Sequence, residues 1–208
     1  MNNLIKITFF VFLLSCGQDI TYENNIKEDL IFLADDKLEG RKTGTEGEKL
    51  AAKYISERFE KLNLSDKGTE NYYQDFYFGN NNNNPHEEIE FNKESDNSQI
   101  HARNVVGFLD NGGSSIVVIG AHYDHLGYGE ESSLYFGEEV LIHNGADDNA
   151  SGTSLLLDLA NRLATKELKS NYLFIAFSGE EMGLLGSNYF LKNPTVSKDE
   201  INYMINMD

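Results

Sequence analysis

Apolar positions along the chain follow two periods. Between Gly47 and Leu62, the residues Leu50, Ala51, Tyr54, Ile55, Phe59 and Leu62 recur at helical spacing and predict an amphipathic helix. Ser151 to Ala164 repeats the pattern through Leu155, Leu159, Arg162 and Leu163, and Met182 to Leu191 predicts another helix, stopped by Pro194. Between these lie apolar runs of strand length. Ser115 to Ala121 and Asn171 to Phe177 are almost unbroken, as in strands buried on both faces, and Ile201 to Met207 predicts a third strand. Tyr72 to Phe78 predicts an earlier strand. Strands alternating with helices predict an α/β sheet with helices on both faces.

Two segments fall outside this alternation. Residues 79–99, which hold five consecutive asparagines before Pro85, have the composition of a low-complexity surface insertion between strands. At the N-terminus, Lys6 precedes the apolar stretch Ile7 to Leu14. That stretch is far short of the ~20 residues a membrane helix needs, and it fits the apolar region of a signal peptide. Leu13-Leu14-Ser15-Cys16 resembles a bacterial lipoprotein signal box. The resemblance implies a signal peptide over residues 1–15, a lipid on Cys16 and a tether over 16–29, ahead of a domain over residues 30–208. It also implies export and anchoring to a bacterial membrane on its periplasmic or cell-surface side. Cys16 is the one cysteine in the chain, so the exported domain is held by packing or metal and not by internal disulfides.

A length of 208 residues with 40% apolar and 12% aromatic content suits one domain with a real core. Acidic residues outnumber basic ones by 34 to 17, giving a formal charge of −17. Such a balance argues against nucleic acid, whose phosphates need a basic face.

Candidate chemistry gathers where the strands end. His122 and Asp124 follow the strand ending at Ala121, Glu180 and Glu181 follow the strand ending at Phe177, and Asp208 follows the strand ending at Met207. Ligand sites of open α/β sheets lie beyond the carboxyl ends of their strands, so these groups converge on one edge. A further cluster, Gly145 to Gly152, holds Asp147, Asp148 and Asn149 just before a helix. Each cluster alone has a plain structural account: a hydrogen-bonded loop pair, a solvated helix start, a turn. Together they match what two-metal hydrolysis needs. Two ions ~3.5–4 Å apart can activate a water and stabilise developing charge, given imidazole and carboxylate ligands, one of them bridging. A free carboxylate must also take the water's proton.

These residues sit within ordered motifs: Leu38-Glu39-Gly40-Arg41-Lys42-Thr43-Gly44, Arg103-Asn104-Val105-Val106-Gly107, Gly120 to Gly127, Gly145 to Gly152, and Ser178 to Gly186. In that order they resemble the co-catalytic di-zinc aminopeptidases, the superfamily that also holds glutamate carboxypeptidases and glutaminyl cyclases. The resemblance runs from about Leu30 to Asp208. It implies a zinc-exopeptidase fold, a three-layer α/β/α sandwich on a central mixed, mostly parallel sheet that is incomplete at the C-terminus. It implies two zinc ions. His122, Asp148 and Asp208 would bind one, Asp148 and Glu181 the other, with Asp148 as the bridge. Glu180 would be the general base, and Asp124 would hydrogen-bond the far nitrogen of His122. It also implies a cis peptide between Asp148 and Asn149. Asp147, His125 and His143 lie near these motifs without an assigned partner.

The family pattern has one more histidine on the second zinc, downstream of the aspartate that Asp208 matches. The second site is therefore expected to be incomplete here, the chain to be part of a longer protein, and this chain alone to be inactive. The resemblance implies a zinc metallopeptidase that removes N-terminal residues from peptides. A carboxypeptidase or a glutaminyl cyclase-like enzyme is the alternative within the superfamily. A surface lipoprotein that binds ligands through a dead site is the alternative outside it. Glu180, Asp148 and His122 argue against the latter, since a binding module needs no general base.

Overall fold

A computed structural model describes residues 20–79, 90–92, 99–129 and 133–208. The signal peptide and Cys16 lie outside the described residues, as does most of the insertion predicted over 79–99.

Among the described residues, four helices and seven strands form the framework: α1 (Ile20–Leu33), α2 (Glu46–Lys61), β1 (Ser65–Asp66), β2 (Tyr73–Gly79), β3 (Phe91–Asn92), β4 (Gln99–Leu109), β5 (Ile116–His122), α3 (Gly152–Ala164), β6 (Asn171–Phe177), α4 (Leu185–Lys192) and β7 (Ile201–Met207). The strands make one mixed sheet in the order β3-β2-β4-β6-β5-β7, with β1 paired to β4. Leu33, Ile55, Phe59, Leu156 and Leu157, from α1, α2 and α3, pack on one face against Val117, Ile119 and Phe174. On the other face Phe190 of α4 joins Val106, Val118 and Ile175, and Tyr189 joins Phe76 and Phe78. Three layers result, as expected. The expected predominance of parallel pairing does not hold: β5 pairs in parallel with β6 and β7, whereas β1–β4, β2–β3, β2–β4 and β4–β6 are antiparallel.

Two boundaries also differ from expectation. The tether expected over 16–29 is helical from Ile20, and Asp29 is buried, accepting hydrogen bonds from Tyr54 Oη at 2.5 Å and Arg58 Nη2 at 3.1 Å. A buried carboxylate held by two donors fixes α1 to α2. Strand β4, the longest at 11 residues, was expected only as a motif. Its polar positions hide it from a count of apolar residues: Asn104 is fully buried, donating to Gln74 Oε1 and the Gly186 carbonyl, both at 2.9 Å. Among the described residues no helix is long and apolar enough to cross a membrane.

Parallel pairing of β5, β6 and β7 puts their carboxyl ends at one edge. His122 lies opposite Phe177 and Ala121 opposite Met207, so the residues that follow these strands start at the same level.

Candidate metal centre

The loop from Gly145 to Ser151 carries Asp148 over that edge. The peptide between Asp148 and Asn149 is cis. Asn149 is buried, donates from Nδ2 to the Met207 carbonyl at 2.9 Å, and accepts from the Gly152 amide at 2.9 Å. The loop is thereby tied to the end of β7 and to the first turn of α3. Gly152 has no space for a side chain, because a Cβ would stand 2.7 Å from the Met207 carbonyl oxygen.

Two groups of side chains meet there, and Asp148 belongs to both. His122, Asp148 and Asp208 form one, and His125, Asp148 and Glu181 the other, with the donor atoms of each within 4.8 Å of one another. In the first, His122 Nε2 lies 3.1 Å from Asp148 Oδ1 and 3.1 Å from Asp208 Oδ1. Glu180 Oε2 is 3.9 Å from the same nitrogen. His122 is buried, while the side chains of Asp148 and Asp208 are 62% and 55% exposed, so the site opens to solvent on its carboxylate side. Burial opposes charge on His122, but Asp124, Glu180 and Asp148 outweigh it and push the imidazole up to about 9. Burial raises Glu180 above the usual carboxylate range, helped by Asp124, Asp208 and Glu181 against the pull of His122. So much unpaired negative potential around one imidazole is what a bound cation relieves. Imidazole and carboxylate donors without thiolate fit zinc.

Asp124 is fully buried. Its carboxylate is not the partner of His122 that the resemblance implies: His122 Nδ1 is 3.2 Å from the Asp124 carbonyl oxygen and 3.7 Å from Oδ1. The latter is beyond hydrogen-bond reach. The carboxylate instead accepts from the amide of Glu180 at 3.1 Å, from the amide of Glu181 at 3.4 Å, and from Thr43 Oγ1 at 2.9 Å.

Several residues close to the site carry no signal in the strand-end pattern. His125, without an assigned partner in the sequence pattern, places Nδ1 2.6 Å from Glu181 Oε1, so Asp148 and Glu181 are not alone at the second position. His143 faces Ser133 Oγ at 3.2 Å, in the first of the described residues after 132, and joins neither group. Asp147 is exposed and also joins neither. Arg41, from the Leu38-to-Gly44 motif, is buried and donates to the carbonyls of Leu33, Tyr123 (2.8 Å), Asn144 (2.7 Å) and Gly145 (3.0 Å). Burial pulls it down to about 10, against the attraction of Asp124 and Asp148. Before it, Gly40 takes φ +69°, and a Cβ there would stand 2.4 Å from the His143 carbonyl oxygen. Both residues of the Gly-Arg pair are thus explained by close approach of the loops that carry the ligands.

A sheet with β5, β6 and β7 in parallel and a histidine-carboxylate cluster at their ends defines a zinc-exopeptidase-like α/β protein. The profile of peptidase family M28 matches residues 104–208, half of the chain, and the chain belongs to that family. It is 35% identical to aminopeptidase YwaD of Bacillus subtilis over 95 residues, which cover 44% of this chain and 18% of that protein. It is 29% identical to the alkaline phosphatase isozyme conversion protein of Escherichia coli over 171 residues, 81% of this chain and 46% of that one. The fold matches a Zn-dependent exopeptidase from Parabacteroides distasonis with a TM-score of 0.67 at 21% identity, over 91% of this chain and 60% of that one. It matches a glutaminyl cyclase from Bacteroides thetaiotaomicron with a TM-score of 0.64 at 18% identity, over 91% and 61%. The chain thus spans less than half the length of these two curated relatives.

Proposed function

We propose that this chain carries the two-zinc site of an exopeptidase that removes N-terminal residues from peptides. The observation that carries this reading is the pair of donor groups sharing Asp148 at the ends of three parallel strands. His122, Asp148 and Asp208 would hold one ion, and Glu181 with Asp148 would hold the other. When bound, the ions supply electrophilic stabilisation of the scissile carbonyl and lower the pKa of water.

The chain's own residues do the rest. Glu180 stands at the rim of a small cleft lined by His122, Phe177, Leu184 and Asp208. There its carboxylate takes a proton from the attacking water and returns it to the leaving amine. Its raised pKa suits both halves of that task. Asp124 fixes the two glutamate backbones through their amides, so that Glu180 and Glu181 keep separate roles. Asp148, the most exposed of these carboxylates, is shared by the two donor groups and would bridge them through metal. The aminopeptidase among the relatives supports action at an N-terminus. We further read Cys16 as a lipidation site that tethers the exported enzyme to a bacterial membrane.

The test is hydrolysis by zinc-loaded full-length protein. An unblocked amino-acid anilide should be cleaved and its N-acetyl form spared. Cyclisation of an N-terminal glutamine, release of a C-terminal residue, or silence on all substrates would each overturn the aminopeptidase reading.

A further inference from the structure

The His122 and His125 groups are spaced differently, and the difference assigns a role. Two donors on one zinc ion, each ~2.0–2.1 Å from it at a tetrahedral angle, stand ~3.3 Å apart. The 3.1 Å separations from His122 Nε2 to Asp148 and Asp208 are close to that spacing. The 2.6 Å between His125 Nδ1 and Glu181 Oε1 is not; it is the separation of a short hydrogen bond to a carboxylate. We infer that His125 is a positioning residue: its Nδ1–H donates to Glu181 and aims the other carboxylate oxygen at the second metal position. The inference rests on the two-metal reading above.

The surroundings hold the ring in that pose. The His125 side chain is only 10% exposed and Glu181 17%. The His125 amide donates to the Arg41 carbonyl at 3.2 Å. Across the ring lies Gly145, at φ +56°, where a Cβ would come within 2.6 Å of His125 Cγ and Cδ2. Gly145 is held in turn by its carbonyl, which accepts from Arg41 Nη2 at 3.0 Å. Arg41 therefore fixes both the backbone of His125 and the residue against its ring. Glu181 is fixed at its backbone by Asp124 and at its side chain by His125, so a carboxylate that is free to rotate has one orientation left. Hydrogen-bond partners of metal-binding carboxylates act in this way, and their loss typically lowers metal affinity ~10–100-fold.

The experiment is a zinc titration of the full-length protein against a chromophoric chelator, resolving the two affinities, on wild type, His125→Ala and His125→Asn. An asparagine amide nitrogen reaches about the position of Nδ1 and donates as it does. His125→Ala should weaken the second zinc ~10–100-fold and leave the first unchanged, and His125→Asn should restore most of the loss. The unchanged first affinity distinguishes the effect from damage to the fold. Retention of both affinities in His125→Ala would overturn the inference, as would an equal loss at both sites. His125→Asn as weak as His125→Ala would overturn it in favour of direct ligation by the ring. Full-length wild-type protein that takes up a single zinc would overturn the two-metal reading itself.

Discussion

Replacing Glu48 by Gln should remove a pH dependence from the stability of this protein. Glu48 is 2% exposed, in the first turn of α2. Its Oε2 accepts from the Gly44 amide at 2.6 Å, and its Oε1 accepts from Ser178 Oγ and from Tyr123 Oη at 3.1 Å. Burial raises its pKa from 4.5 to about 7, although the Ser178 and Gly44 hydrogen bonds pull it down. The unfolded chain releases this proton near 4.5 and the folded chain only near 7. Between those values the folded state binds more protons, so stability falls as pH rises. The contribution is complete below about 4.5 and lost by about 7, and at ~1.4 kcal/mol per pKa unit it amounts to about 3 kcal/mol. Glutamine cannot ionise, and its groups fit: the amide oxygen accepts from Gly44, and the NH₂ donates to Ser178 Oγ and Tyr123 Oη. Tyr123 keeps its own acceptor, the Arg103 carbonyl at 2.7 Å. Urea unfolding of both proteins at about pH 5 and about pH 8, at saturating zinc, gives the difference directly. pH dependence arising at His122 and the carboxylates is common to both proteins and subtracts out. Glu48→Gln should gain about 2–3 kcal/mol on wild type across that range. A difference that stays flat within about 0.5 kcal/mol would refute the reasoning.

Glu180→Gln should lower anilide hydrolysis by about 10²–10⁴-fold with both zincs retained; near wild-type turnover would remove Glu180 from its role as base. Arg41→Lys keeps the charge but cannot span four carbonyls. It should cost about 2–4 kcal/mol in urea unfolding, and a loss below about 0.5 kcal/mol would show that the loops hold themselves. Cys16→Ser should release the exported protein from the membrane fraction; unchanged association would mean that Leu13 to Cys16 is not a lipid signal.

The two signals used on the sequence had different reach. Strands buried on both faces leave unbroken apolar runs, and so β6 keeps the bounds its composition implies and β5 shifts by one residue, while β7 keeps its bounds although five of its seven residues are exposed. The groups that follow them, His122, Glu180, Glu181 and Asp208, are legible for the same reason: a charge placed straight after a buried strand has no packing role. β4 is harder to read because its inner positions include Asn104, a polar residue paid for by hydrogen bonds from distant chain segments. α1 is harder still, since Asp29, Tyr54 and Arg58 hold it and the three lie up to 29 residues apart. His125 and Arg41 sit inside quoted motifs, but their partners, Glu181 and the Asn144 and Gly145 carbonyls, come from other loops, and spacing within a motif cannot reveal a partner outside it.

Asp124 shows how this matters for chemistry. Two residues after His122 in extended chain, it belongs on the same side as the imidazole, and sequence spacing alone pairs the two. The chain turns after β5, however, and it is the Asp124 carbonyl that meets Nδ1. Its carboxylate is left facing the loop after β6, where two successive amides and Thr43 satisfy it. One residue thus orients the His122 ring with its backbone and holds the Glu180–Glu181 turn with its side chain. Two of the three strands that deliver ligands, β5 and β6, are coupled through a single buried acid, with Thr43 joining the turn after Arg41 to the same oxygen as Glu181. A displacement of that acid moves the His122 ring and the Glu180–Glu181 turn together. The Gly40–Gly44 motif, far from the ligands in sequence, therefore belongs to the site as a support for its geometry.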